Sequence, residues 1–427
     1  MSIFNLIENK TFKEFYYQAT LENGFKITVI PKKRKASFAM VCCDFGGADI
    51  KYERDGEIFT FPSGVAHFLE HKMFETESGG DSFLEFDDFG GNANAFTSFS
   101  NTCYYFSCTD NFYENLNVLL KSVSGIHCTD KSVEKERKII AREITMYDDS
   151  PSSNVGKNLR KAMYHTHPTI HPISGTLESI EQIDKETLER AYEHFYVPSN
   201  MSLCVCGDVN KDEIYKIAQG FFTKPLIKRP KTIFDDEPIT VKSERVEEES
   251  LVASALYTIG IKCPSYEKND YQSCRYATAM RLAISLIFGR ASDFFCQNYE
   301  NGLLNERFYA GYTTSCGSAY VVISGSGNEY DLVMERALEE IKLRQEIFFT
   351  DEQILREKKA AYAESLTLFD SGEDLVTAMA TCAHLDYDEF DSIEMLRDVT
   401  AEEIKQALKS IDINNHSISI IRKGLEQ

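Results

Sequence analysis

The chain has 427 residues, 43% hydrophobic and 26% charged, which is enough for two hydrophobic cores and, with no low-complexity tract, excludes an intrinsically disordered chain. Against 46 basic residues stand 67 acidic ones, and the resulting charge of -21 opposes binding to a phosphate backbone or an anionic bilayer. The opening segment MSIFNLIENKTFKEFYYQAT lacks the basic and apolar parts of an export signal, and no run approaches the ~18 apolar residues of a membrane helix, so a cytoplasmic protein without nucleic-acid partner or membrane span is expected.

In chain order, the β-branched and aromatic runs at 24–32 and 37–45 read as strands. A helix follows from about Gly64 through HFLEHKMFE, with Ser63 as its expected cap and Phe61 placed to fix its entry. A short helix at 83–89 leads through Gly90-Gly91 into two strands between 92 and 108. Apolar residues spaced by three and four then predict helices at 113–124, 132–147 and 154–164, with shorter ones at 177–183 and 185–196. A strand at 201–207 precedes a helix at 208–222 opened by Asp208.

Prolines and charge blocks at 226–249 predict a linker between a domain at 1–225 and another at 250–427. Beyond it the order repeats: a strand at 251–262, helices at 273–288 and 292–299, two strands within 308–324, helices at 330–344, 351–369, 373–385 and 401–411, and a strand at 417–422. The expected fold class is α+β, with two similar domains, each of helices packed on one mostly antiparallel sheet. The 12 cysteines are scattered, several within apolar strand-like runs and none in paired CxxC spacing, and read as reduced core residues.

Chemistry concentrates at 67–71, His-Phe-Leu-Glu-His. On a helix, residues four apart share a face, so His67 and His71 can both aim at one zinc ion while Glu70 reaches the edge of the same site as a base for a metal-activated water. Chance supplies His-x-x-acid-His only ~0.03 times in a chain of this composition. Zinc needs a third protein ligand, and SVEKERKIIAREITMYDDSP offers Glu136 and Glu143, two turns apart on one stripe. Helical periodicity does not choose between them. His165, His167 and His171 lie in YHTHPTIHP, where the intervening prolines and a loop-like context favour a turn over a second metal site.

These segments resemble the insulinase or pitrilysin family of inverted zincins, including the short bacterial two-domain members and the mitochondrial processing peptidase type. GVAHFLEHKMFE resembles the family's zinc helix, GGNANAFTSFSNTCYYF its edge strand and EKERKIIAREITMYDDSP its glutamate helix. The resemblance implies one zinc per chain held by His67, His71 and Glu143, with Glu70 as the catalytic base and Glu136 supporting the site from behind. It implies that Asn94, Ala95 and Thr97 lie on an edge strand that pairs with a peptide substrate. It also implies a zinc endopeptidase whose paired domains form half of a clam-shaped chamber, the chain acting as a homodimer or a heterodimer with a related subunit.

One stretch departs from the family. An Arg-Glu-x-x-Gly-Leu-x-Tyr-like motif normally supplies an arginine and a tyrosine, but in FFCQNYENGLLNERFYAGY alignment of Gly302-Leu303 leaves Asn298 and Asn305 at those positions, with Tyr309 and Tyr312 nearby. A related partner supplying the Arg/Tyr pair is therefore expected. The alternative is a non-catalytic peptide-binding or scaffolding subunit of a processing complex.

Overall fold

The computed structural model describes residues 3–77, 79–264 and 270–424. Two compact units interleave along the chain: one from Met1–Ile144, His171–Ile233 and Leu366–Phe390, the other from Thr145–Ile170, Phe234–Ser365 and Asp391–Gln427.

The first unit is built on strands β1 (Asn5–Asn9), β2 (Glu14–Thr20), β3 (Lys26–Pro31) and β4 (Ser37–Cys43), a hairpin of β5 (Lys51–Arg54) and β6 (Glu57–Thr60), then β7 (Asn92–Thr97), β8 (Thr102–Cys108), β9 (Met201–Gly207) and the short β10 (Lys231–Thr232). Seven of them form one sheet in the order β1-β2-β3-β9-β4-β8-β7, which leaves β7 at an edge; β10, β5 and β6 form a second, small sheet. Strand β9 is buried along its whole length, as expected for a central strand covered on both faces.

The second unit has one five-stranded sheet made of β11 (Arg245–Ser250), β12 (Leu256–Lys262), β13 (Tyr309–Ser315), β14 (Ser318–Ser326) and β15 (His416–Lys423), ordered β11-β15-β12-β14-β13. Strand directions repeat those of the first unit. The β11·β15 pair is parallel like β3·β9, and the pairs β15·β12, β12·β14 and β14·β13 are antiparallel like β9·β4, β4·β8 and β8·β7. The fold is thus α+β with two similar domains.

Helices run in chain order α1 (Val65–Lys72), α2 (Ser82–Asp88), α3 (Phe112–Val123), α4 (Asp130–Asp148) and α5 (Pro151–Met163), with others following. Each unit takes one helix from the opposite half of the sequence. In the second unit α5 lies on β12 and β15, where Gly260 permits the approach: a Cβ there would sit 2.3 Å from the Met163 sulfur. In the first unit the helix Gly372–Thr381 covers β4 and β9 with Leu375, Val376, Met379 and Ala380, and Lys26 Nζ donates to the Ala383 carbonyl at 2.8 Å just beyond it.

Several elements differ from the sequence reading. The β1–β2 and β5–β6 hairpins precede or interrupt the expected elements, and Lys13 and Asp55 turn them with positive φ. The segment expected as a linker contains β10 and β11. Its last three glutamates are strand residues at a sheet edge: Glu247 and Glu249 pair with Arg422, while Glu248 accepts from Asn154 and Asn158 of α5. Strand 251–262 begins only at Leu256, and the helix expected from Asp208 is capped by Asn210, whose side chain accepts from the amides of Asp212 and Glu213. His165 and His167 do lie at a turn, where Nε2 of His167 bonds the Cys316 carbonyl at 2.9 Å.

Candidate metal centre

Helix α1 buries Val65, Ala66, Phe68, Leu69 and Lys72 in the core of the first unit, which turns His67, Glu70 and His71 outward along the opposite face. Its first turn is not capped by Ser63 as expected. Gly64 stands at the cap with φ 97°, and a Cβ there would lie 2.7 Å from the Ser174 carbonyl oxygen, so only glycine lets the chain enter here without strain. The Ser63 carbonyl instead accepts from Ser179 Oγ at 2.8 Å.

Helix α4 buries Val133, Ile140 and Ile144, a stripe that brings Glu136 and Glu143 toward α1. Arg137 ties α4 to the Ile180 and Ile183 carbonyls at 3.1 and 2.7 Å, so one segment, 174–183, braces the start of α1 and the middle of α4. At the other end of α1, Lys72 is only 1% exposed; its ammonium pairs with Glu75 and donates to Ser132 Oγ at 2.9 Å, at the head of α4. The sequence reading did not single out Lys72 or Arg137. Lys72 was findable, because it continues the buried 65, 68, 69 stripe by three residues.

Nε2 of His67 lies 3.5 Å from one Glu143 oxygen and Nε2 of His71 lies 3.6 Å from the other. Donors at ~2.05 Å from a tetrahedral zinc stand about 3.4 Å apart, so these separations fit the edges of a zinc polyhedron. Ligand atoms of all three residues fall within 4.8 Å of one another, the one such His/Cys/Asp/Glu group among the described residues. Glu136 stands apart from that trio: its Oε1 accepts from His71 Nδ1 at 2.9 Å, turning the Nε2 of the same ring toward Glu143.

Electrostatics favour a cation in this cradle. Burial alone draws the His71 imidazole down, but hydrogen bonds to Glu136 and Glu143 and the Glu70 charge outweigh it and push the ring up to about 9. The facing His67 and His71 hold the Glu143 carboxyl well below the usual carboxylate range, against the burial that raises it. His67, His71 and Glu143 remain partly open, with side chains 12%, 24% and 24% exposed.

Edge strand β7 passes beside α1. Asn94 is exposed, and its side-chain oxygen accepts from the Ala95 amide at 2.8 Å. Thr97 differs from both: its hydroxyl donates to Glu70 Oε2 at 2.5 Å, a contact between strand and helix that sequence spacing gives no sign of. In the second unit, Asn298 is buried, donates to the Phe294 carbonyl and accepts from Arg336, while the Asn305 amide donates to the Ser326 carbonyl at 2.7 Å.

Residues 62–177 match the insulinase family (peptidase family M16), and residues 182–361 match the peptidase M16 inactive domain. The chain is 32% identical over 411 residues to the uncharacterized zinc protease YmfH of Bacillus subtilis, covering 94% of this chain and 95% of that one. Among solved structures, an M16-like peptidase from Alicyclobacillus acidocaldarius superposes with a TM-score of 0.91 at 29% identity over 99% of both chains. A protease from Helicobacter pylori shares the fold with a TM-score of 0.81 at 17% identity, over 96% of this chain and 100% of that one. The repeated α+β fold is thus that of M16-like peptidases. The chain belongs to the insulinase family, peptidase family M16.

Among the described residues no helix is long and apolar enough to cross a membrane.

Proposed function

We propose that this chain is a zinc-dependent endopeptidase acting on peptides and unfolded peptide segments, with His67, His71 and Glu143 as metal ligands and Glu70 as the base. The observation that carries this reading is the convergence of two imidazole nitrogens on the two Glu143 oxygens at 3.5 and 3.6 Å. Zinc bound there supplies Lewis acidity toward a water molecule and the scissile carbonyl. Glu70 takes the proton from the attacking water and returns it to the leaving amine. Glu136 fixes the His71 tautomer and ring plane through Nδ1.

Substrate pairs with β7, whose free edge at Asn94 and Ala95 offers main-chain groups to an extended peptide. Recognition through backbone hydrogen bonds tolerates many side chains, which suits a peptidase of broad sequence range. Asn298 and Asn305 are occupied by the packing of the second unit, and of the nearby tyrosines Tyr312 is buried and Tyr309 is exposed. A related subunit therefore supplies the Arg/Tyr pair, and the chain works as part of a dimer.

The test is turnover of a quenched peptide library by the zinc-loaded chain, alone and with a related subunit that carries the Arg/Tyr pair. Activity rises on mixing, disappears with a chelator and returns with zinc. Glu70→Gln keeps stoichiometric zinc and loses about 10²–10⁴-fold in kcat. Full zinc occupancy with no turnover in either arrangement would assign the chain to peptide binding or scaffolding instead.

A further inference from the structure

We infer that Thr97 is a positioning residue for Glu70: its hydroxyl holds one carboxylate oxygen of the base so that the other is presented to the reacting water. The inference rests on Glu70 being the base, and it changes the role of Thr97 from a substrate contact to a brace behind the chemistry.

Proton accounting supports the assignment. Thr97 Oγ1 lies 2.5 Å from Glu70 Oε2 and 3.4 Å from Thr102 Oγ1. A hydroxyl has one proton, and a charge-assisted bond to a carboxylate is roughly twice as strong as a neutral one, so the Thr97 proton goes to Glu70. Thr102 cannot compete for Glu70, since it is fully buried and donates its own proton to the Phe45 carbonyl at 2.8 Å.

The brace is firmly mounted. Thr97 is the last residue of β7 and pairs with Thr102 of β8. The loop after it closes through Ser98 N to the Asn101 carbonyl at 2.8 Å. It is gripped again by the amides of Gly47 and Ala48, which donate to the Ser98 and Phe99 carbonyls, each at 2.9 Å. Glu70, by contrast, shares only its backbone with the histidine helix, and a glutamate side chain has three rotatable bonds to restrain. A hydrogen bond from β7 to one carboxylate oxygen restrains that freedom. Because β7 is also the edge proposed to receive substrate, one strand sets both the peptide register and the aim of the base.

The experiment compares Thr97→Val, which keeps the shape and removes the donor, Thr97→Ala as a second donor-less variant, and Thr97→Ser, which restores the donor. Zinc stoichiometry and thermal midpoint are measured first in the full chain, and kinetics follow in the active assembly. The donor-less variants lose about 30–100-fold in kcat with KM within about twofold of wild type, and Thr97→Ser returns to within about threefold. A second reading is independent of turnover: a peptide phosphinate, whose acid oxygen shares a proton with the base, binds the valine and alanine variants about 10-fold more weakly, and a peptide thiol that engages only the metal binds all variants alike. Unchanged kcat in both donor-less variants, a rise in KM alone, or equal weakening of both inhibitors would overturn the inference. If wild type itself shows no turnover, the peptidase reading fails, and the phosphinate and thiol pair still decides whether Thr97 sets the position of Glu70.

Discussion

At the scale of single residues, the two glutamates of α4 take different positions although they share a stripe. Glu143 faces the Nε2 atoms of both histidines, whereas Glu136 meets His71 only through Nδ1. In the proposed centre, loss of Glu143 would remove one of three metal bonds, while loss of Glu136 would leave the bond and relax its orientation. We therefore expect Glu143→Ala to purify without stoichiometric zinc, and Glu136→Gln to bind zinc about 10–100-fold more weakly than wild type. Metal analysis and competition with a chromophoric chelator measure both; the reverse order would exchange the two roles. The histidine pair and Glu70 were legible in the sequence because HxxEH is a local pattern on one helical face. Periodicity left Glu136 and Glu143 equivalent, and only resemblance to the family separated them.

At the scale of elements, the site depends on how α1 and α4 are held. Gly64 enters α1 in a left-handed conformation pressed against the 174–175 backbone, and the same loop region carries Ser179 and the carbonyls that fix Arg137. Gly64→Ala is expected to destabilise the protein by about 1–3 kcal/mol, from positive φ and the approach to Ser174, and to lower zinc occupancy in parallel. Chemical unfolding and metal content of the same sample check this; a neutral effect on both would show that the entry of α1 is not constrained. Strand β11 teaches the opposite lesson from helix α1. RVEEES reads as a charged linker because the stabilising partners, β15 on one side and Asn154 and Asn158 above, are remote in sequence.

At the scale of the whole molecule, each compact unit contains a helix from the other half of the chain. A fragment ending at residue 249 lacks the helix Gly372–Thr381 and would leave the β4 and β9 face it covers exposed. Such a fragment should aggregate or bind a hydrophobic dye; a monomer with cooperative unfolding and stoichiometric zinc would contradict this. In the second unit, Glu237 accepts from the amides of His165, Thr166 and His167 and from the buried Lys262. Burial raises the Glu237 carboxyl, but these donors prevail and hold it at about 2, while burial pulls the Lys262 ammonium down against the attraction of Glu237. A carboxylate lowered on folding contributes stability above its ordinary value of 4.5 and loses it as pH falls from there toward about 2. Denaturant unfolding across that window should show the loss in wild type and a flatter profile in Glu237→Gln. At neutral pH, Glu237→Ala should destabilise the protein, because buried Lys262 keeps the Met163, Pro238 and Thr240 carbonyls as acceptors but loses its counter-charge.

The sequence by itself determined the helix that carries His67, Glu70 and His71, the α+β class and the repeated order of elements, because each rests on local periodicity or on a pattern seen twice. Tertiary structure decided the rest. It closed Glu143 against both imidazoles, set Glu136 behind His71, exchanged helices between the two units and brought the Thr97 hydroxyl to Glu70. Those contacts join residues from 27 to more than 300 positions apart, where helical and strand periodicities carry no phase information. The HxxEH helix is thus readable as a motif, but the geometry around it is a property of the packed sheet and helices.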